Sequence, residues 1–272
     1  MAKAQKNWSG ERLETFIENR DTIDHLHRYA VAADYAAGKV VLDIASGEGY
    51  GSHLMSNVAA KVIGVDIDPG AVEKASRKYK KPNLEYRQGS ADAIPLQDAS
   101  VDLVVSFETI EHHDRHDEMM AEIKRVLKPG GLTIISTPDK LYYTDKRNFS
   151  NKFHVKELYK DEFQGLVSKY FSNIQLLNQT YVNGNSILRR DDSQEKMALY
   201  KGDYSGIGPY DADPLYLIAI ASDAEFTPQT LSVFDGASIV TAEARAHYTQ
   251  SNSYRLGHLL LSPVRWAKRI LK

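Results

Sequence analysis

The hydrophobic pattern changes period several times along the chain. Over residues 11–37, apolar Leu13, Phe16, Ile17, Leu26, Ala30 and Ala33 recur at roughly helical spacing, which predicts a helix that stops at Gly38. Residues 39–44 form a short β-branched run, read as a buried strand, followed by glycines and a helix through His53. Further strands are expected at 61–66, 84–88, 101–107 and 132–137. Helices are expected at 69–80, with Pro69 in the first turn, and at 114–127, ending at Pro129, Gly130 and Gly131. The later chain predicts a helix at 155–170, a strand near 174–177 extending toward Tyr181, a polar, turn-rich stretch over 189–214 and a buried strand at 215–221. After Ser222 the pattern weakens.

Strands alternating with helices over 39–137 imply βαβ units and a parallel sheet. Such a sheet places ligands outside the carboxyl ends of its strands. Those ends fall at residues 43–51, 66–68, 90–92, 107–113 and 137–139, which is where most polar clusters of the chain lie.

Composition narrows the field. The chain has 272 residues, 42% hydrophobic and 26% charged, with a formal net charge of −2. This suits one large α/β domain with additions, or a domain plus a small second unit. The near-zero charge offers no overall attraction to nucleic acid or to an anionic membrane. The absence of cysteine excludes disulfides, thiolate metal sites and a cysteine nucleophile. No apolar run approaches the ~20 residues that span a bilayer. The first ten residues are polar and lack the apolar core of a signal peptide, so a cytoplasmic location is expected.

Gly47, Gly49 and Gly51 follow a strand and precede a helix. Glycines let the backbone turn tightly and approach a ligand, and a helix N-terminus offers N–H groups. The triplet alone fits a phosphate loop, a dinucleotide loop, an adenosyl cofactor or a plain tight turn. There is no Gly-Lys-Ser/Thr, which rules out a Walker-type loop. Asp66 closes the next strand about 20 residues on, where a carboxylate can take both ribose hydroxyls. Asp43, beside the loop, is awkward for a pyrophosphate and suits a cofactor with an ammonium group.

Over residues 25–180 the chain resembles the class I S-adenosylmethionine-dependent methyltransferases. Asp43-Ile44-Ala45-Ser46-Gly47-Glu48-Gly49 is similar to that family's Asp-x-Gly-x-Gly-x-Gly motif, with Ala45 at the first glycine. Gly64-Val65-Asp66-Ile67-Asp68 resembles the ribose-binding strand end. Gln88-Gly89-Ser90-Ala91-Asp92 resembles the adenine-contacting loop, with Ser90 where many members carry Asp. Leu127-Lys128-Pro129-Gly130-Gly131 resembles the turn before strand five. The resemblance implies an α/β, Rossmann-like, doubly wound seven-stranded sheet with helices on both faces and an antiparallel seventh strand, a role 215–221 fits. It implies a helical cap (1–38), a methyltransferase domain (39–222) and a C-terminal extension with a basic amphipathic helix (223–272). It implies S-adenosylmethionine as cofactor, contacted by Arg28, Asp43, Ala45, Gly47, Gly49, Asp66, Ile67, Ser90, Ala91, Asp92 and Phe107. Arg28 would pair with the cofactor carboxylate, or stand as a surface arginine.

A second cluster, Glu108, Glu111, His112 and His113, follows strand four, and His154 follows strand five. On a helical turn Glu108, Glu111 and His112 could share one face. Carboxylate and imidazole together suit Mg²⁺ or another divalent cation. The pattern resembles the Glu-x-x-Glu-His sites of the magnesium-dependent O-methyltransferases of ubiquinone biosynthesis and of plant small-RNA 2′-O-methylation. That implies a metal at Glu108, Glu111, His112 and His154 that acidifies an acceptor hydroxyl, with Glu111, His112 and His113 as the catalytic set. In metal-free members the histidine acts as base or merely packs.

The tail carries Arg255, Arg265, Lys268, Arg269 and Lys272, with no acid after Glu243. Ser262-Pro263 starts a helix whose Val264, Ala267, Ile270 and Leu271 share a face. Such a helix suits docking on its own domain or on a partner such as a glycosyltransferase, or lying on the inner face of an anionic membrane. Residues 254–266 are similar to tails of bacterial polysaccharide glycosyltransferases. The expected function is methylation of a hydroxyl on a sugar or glycan acceptor in polysaccharide assembly. The alternatives are a small-molecule O- or N-methyltransferase, a non-catalytic cofactor-binding scaffold, and an RNA 2′-O-methyltransferase, against which the lack of a basic groove signal counts.

Overall fold

The β-branched runs of the sequence become neighbouring strands. In a computed structural model, which describes residues 12–191, 197–256 and 258–260, β1 (Val40–Ile44), β2 (Lys61–Asp66), β3 (Leu84–Gln88), β4 (Val101–Phe107) and β5 (Leu127–Pro138) pair in parallel in the order β3-β2-β1-β4-β5. β6 (Asn173–Val182) and β7 (Asn185–Arg190) form a hairpin, and β8 (Leu199–Asp203) and β9 (Gly206–Tyr210) a separate two-stranded sheet. β10 (Tyr216–Ser222) inserts between β5 and β6, antiparallel to both, as expected for 215–221. β11 (Ser232–Asp235) closes the sheet against β7.

The sheet therefore has nine strands, not seven. The additions are β7 and β11. Asn183 and Gly184 both have positive φ, 48° and 85°, the conformation of a tight two-residue hairpin turn, so β6 folds back on itself as β7. β11 lies in residues 223–272, yet it is part of the central sheet.

The helices are α1 (Arg20–Ala36), α2 (Tyr50–Met55), α3 (Pro69–Lys78), α4 (His116–Val126), α5 (Lys160–Ser168) and α6 (Ala237–Gln250). α1 starts later than residue 11 because Asn19 caps it. The Asn19 side chain accepts from the Thr22 N–H at 3.1 Å, and the Thr22 hydroxyl accepts from the Asn19 N–H. α5 is shorter than 155–170 because Val155 and Lys156 bond to Glu111 in the turn after β4 and Leu158 pairs with Asp139 and Lys140 at the end of β5 instead. The helix expected from Ser262 lies outside the described residues. Among the described residues no helix is long and apolar enough to cross a membrane.

Alternation along β4 shows how the layers form. Leu103, Val105 and Phe107 pack with Tyr29, Ala32 and Met55 of α1 and α2. Val104 faces the other way, with Met119 and Ile123 of α4 and Phe163 and Val167 of α5. Helices thus cover both faces, and strand order reverses between β1 and β4, where open α/β sheets leave a crevice.

α1 and α2 meet at Gly51, where a Cβ would lie 1.9 Å from the Tyr29 ring. That ring cannot retreat, since it stands edge-on to Tyr50 and Phe107 with its hydroxyl on Asp43. Gly51→Ala is therefore expected to lower stability by about 3 kcal/mol through overpacking. A urea midpoint unchanged from wild type would refute this account of the contact.

Candidate active site

The crevice is a cavity of about 580 Å³ at the carboxyl ends of β1, β2, β3 and β4, a volume suited to a small-molecule ligand. Ala45 and Gly47 form its floor at the end of β1, both with positive φ of 59° and 54°. A left-handed turn there explains why a glycine is usual at the Ala45 position, since a Cβ in that region costs about 1–2 kcal/mol. Asp66, Ile67, Ser90, Ala91, Asp92 and Phe107 also line the cavity. The Asp66 carboxylate accepts the Gly47 N–H at 2.8 Å and the Asp68 N–H at 2.9 Å, so it braces the glycine loop. Ile67 is 64% exposed and offers an apolar face toward the cavity. Ser90 hydrogen-bonds to Asp92, which also pairs with Arg115.

Three expected cofactor residues lie behind this wall. Gly49 caps α2 with φ 87°, and a Cβ there would meet Ala75 and Tyr86 at 2.8 Å, so its smallness serves packing. Asp43 is 1% exposed and accepts from the Ser52 hydroxyl at 2.6 Å and from Tyr29. Arg28, read from sequence as a cofactor contact or a surface arginine, is 1% exposed. Its Nε donates to Gln179 at 2.6 Å, Nη1 lies 3.0 Å from Glu108 and the guanidinium covers the Tyr216 ring at 4.3 Å.

The acid and histidine cluster lines the same cavity. Glu108 has φ 51° and accepts from the Ser136 hydroxyl at 2.7 Å while facing Arg28. It does not join the other three expected metal ligands. Glu111, His112 and His154 do come together, with one ligand atom of each within 4.8 Å of the others. Glu111 is 1% exposed, and its Oε1 has no hydrogen-bond partner. Burial, with Glu108 as neighbour, pushes its carboxyl well above the usual range. Burial also raises Glu108, and the Arg28 charge opposes that shift.

The two adjacent histidines diverge. His112 Nδ1 lies 3.1 Å from the Phe153 carbonyl, which can only accept, so the proton is on Nδ1 and Nε2 carries the lone pair. His113 Nδ1 accepts the Arg115 N–H at 3.2 Å, which places its proton on Nε2 in the neutral ring. His113 stacks edge-on with His116 instead of joining Glu111, and burial lowers its pKa. His154 donates from Nδ1 to Glu157 at 2.5 Å, and its Nε2 accepts from the Asn151 amide at 2.9 Å. Sequence reasoning gave no role to Arg12, whose guanidinium reaches Asp66 at 3.2 Å and Asp68 at 2.7 Å, nor to Tyr216, read only as part of a strand.

The Asp43 carboxyl is pushed up to about 7, first by burial, with Asp66 adding repulsion. In the unfolded chain it ionises near 3.8. Between those values the folded state holds a proton that the unfolded state has lost, so stability falls as pH rises through this window. Asp43→Asn, which cannot ionise, should become steadily more stable relative to wild type from about pH 4 to about pH 7. Thermal melts of both proteins across that range check this, and a constant difference would contradict it.

Residues 42–135 match the family model described as "Methyltransferase domain". A Mycolicibacterium smegmatis protein named a probable S-adenosylmethionine-dependent methyltransferase is 40% identical over 131 residues, covering 48% of this chain and 50% of that protein. Phthiotriol/phenolphthiotriol dimycocerosates methyltransferase 1 of Mycobacterium ulcerans is 31% identical over 131 residues, covering 47% of this chain and 45% of its own. The match thus spans about half the length of these relatives. A crystal structure of a SAM-dependent methyltransferase from Thermotoga maritima shares the fold with a TM-score of 0.53 at 17% identity, over 75% of this chain and 90% of that one. Residues 42–135 are thus similar in sequence to the methyltransferase domain and to a probable S-adenosylmethionine-dependent methyltransferase, and the chain shares its fold with a solved methyltransferase.

Proposed function

We propose that this protein transfers a methyl group from S-adenosylmethionine to a hydroxyl of a sugar or glycan acceptor, with His112 as the base. The observation that carries this is that the glycine loop with Asp66 and the Glu111–His112 cluster line one cavity. When bound, S-adenosylmethionine supplies an electrophilic sulfonium methyl. Ala45, Gly47, Asp66, Ile67, Ser90, Ala91, Asp92 and Phe107 are the residues that would hold it, with Asp66 facing the ribose. Tyr143 and Tyr216 add aromatic rings to the lining of the same cavity, which suits a sugar. The Mycobacterium ulcerans relative, named for phthiotriol and phenolphthiotriol dimycocerosates, is consistent with a hydroxyl-bearing acceptor.

In this reading the Phe153 carbonyl fixes the His112 ring, and Nε2 takes the proton of the acceptor hydroxyl. The cofactor would supply the methyl group and leave as S-adenosylhomocysteine, while His112 would keep the proton given up by the acceptor oxygen. Glu111 Oε1 offers a second hydrogen bond for the acceptor. S-adenosylhomocysteine should raise the melting temperature, and failure of every adenosyl compound to do so would sink the reading. His112→Asn should lower kcat by about 10²–10⁴-fold while leaving that thermal shift in place; unimpaired turnover would remove His112 as base.

A divalent cation at Glu111, His112 and His154 is the second reading. The observation in its favour is that both histidines donate Nδ1–H to fixed acceptors, Phe153 and Glu157, the outer bonds that orient metal-ligating imidazoles. Glu111, His112 and His154 would hold the ion, which would acidify a bound hydroxyl. Asn151 already occupies His154 Nε2, however, which favours the metal-free reading. Full methyl transfer in EDTA is therefore expected. Loss of activity that added magnesium or manganese restores would establish the cation instead.

A further inference from the structure

The chain is polarised in charge. After Glu243 its last 29 residues carry Arg245, Arg255, Arg265, Lys268, Arg269 and Lys272, and none of the 36 acids. The described part of this stretch stands off the domain. α6 buries none of its side chains, and Tyr248 near its end is 64% exposed. Residues 252–256 and 258–260 are again helical. There Leu256 and Leu260, four apart and so on one helical face, are 59% and 67% exposed. The sequence beyond adds Leu261, Val264, Trp266, Ile270 and Leu271 among the cations.

We propose that residues 244–272 bind the surface of an anionic lipid membrane. Cations interleaved with leucine, isoleucine and tryptophan, with no acid among them, match the boundary between phosphate headgroups and acyl chains. The cations meet lipid phosphate, and the apolar side chains leave water for the acyl layer. A nucleic acid would use the same cations but leave Leu256 and Leu260 in water. A second copy of this chain could cover the leucines, but it would bring its own six cations to the same contact. The remainder of the chain, with 28 basic residues against 36 acidic ones, would be repelled by the same membrane, so attachment falls to this segment alone. The inference is independent of the methyl acceptor.

The test is co-sedimentation of the full chain with vesicles of phosphatidylcholine alone or of equimolar phosphatidylcholine and phosphatidylglycerol. The protein should partition at least about a hundredfold more strongly onto the anionic vesicles, less so as salt rises. Replacing Arg265, Lys268, Arg269 and Lys272 together with Gln should cut that binding by about a hundredfold. Leu256→Asn combined with Leu260→Asn should cut it by about tenfold. Both variants should keep the wild-type melting temperature and the S-adenosylhomocysteine shift, which separates loss of membrane binding from loss of fold or cofactor. The proposal is overturned by equal partition onto both vesicles or onto neither, by variants that bind like wild type, by tighter binding to polyuridylate than to vesicles, or by a stable dimer that the leucine variant abolishes and that does not sediment with lipid.

Discussion

A guanidinium buried away from water must find its counter-charge inside the protein, and Arg28 is that group here. It is 1% exposed and faces Glu108, Gln179 and the Tyr216 ring. These come from α1, the end of β4, β6 and the start of β10, which are far apart in the chain. An unpaired buried charge costs about 3–5 kcal/mol, so the four elements are obliged to meet around it. Gln179 is itself fixed, donating to the Asp24 carbonyl and to Ser186. Glu108 adopts a left-handed backbone at φ 51°, a conformation unfavourable for its type that persists only where surroundings over-determine it. Arg28 and the Ser136 hydroxyl supply that constraint.

The strained turn has a directional consequence. Because the chain bends at Glu108, the following short helix carries Glu111 and His112 into the cavity. The Glu111 carbonyl then accepts the N–H groups of Val155 and Lys156, at 2.8 and 3.1 Å. That pins the segment bearing His154, and the Phe153 carbonyl in the same segment sets the His112 tautomer. Two backbone carbonyls, of Glu111 and Phe153, thus hold together the segments that carry His112 and His154, more than 40 positions apart in sequence. β10 contributes at the same place, for Tyr216 lines the cavity while its ring covers Arg28.

The alternation of strands and helices, the glycine loop and the inserted strand β10 were legible because each leaves a local pattern. β7 was legible too, since Asn183-Gly184 between apolar runs is a strong hairpin signal, although residues 182–188 are assigned to no element by the sequence reading. β11 left little to read, because it is four residues long, none of them buried, and joins the sheet only through pairing with β7. The acid and histidine cluster was visible as composition, but its division was not. Nothing local says that Glu108 turns to Arg28, 80 residues earlier, or that His112 and His113 take opposite tautomers. Those outcomes depend on tertiary partners. Ala45 is the reverse case, where a departure from the family's glycine marks a backbone held at positive φ despite its Cβ.

The two motif acids illustrate how similar sequence signals divide into different work. Asp66 is on the cavity wall and holds the Gly47 and Asp68 amides. Asp43 is one strand away, yet behind the wall, and its oxygens are taken by Ser52 and Tyr29. A carboxyl so placed cannot meet a cofactor ammonium without giving up those partners. What it does instead is join α1, β1 and α2 through Tyr29 and Ser52, at the point where the glycine loop leaves the sheet. Its raised pKa fits this role, because burial weakens the preference for the charged form by more than the Ser52 and Tyr29 hydroxyls restore it, and no direct ionic contact offsets that burial. Asp43 is therefore best understood as positioning the loop from behind, and Asp66 as bracing it from the cavity side.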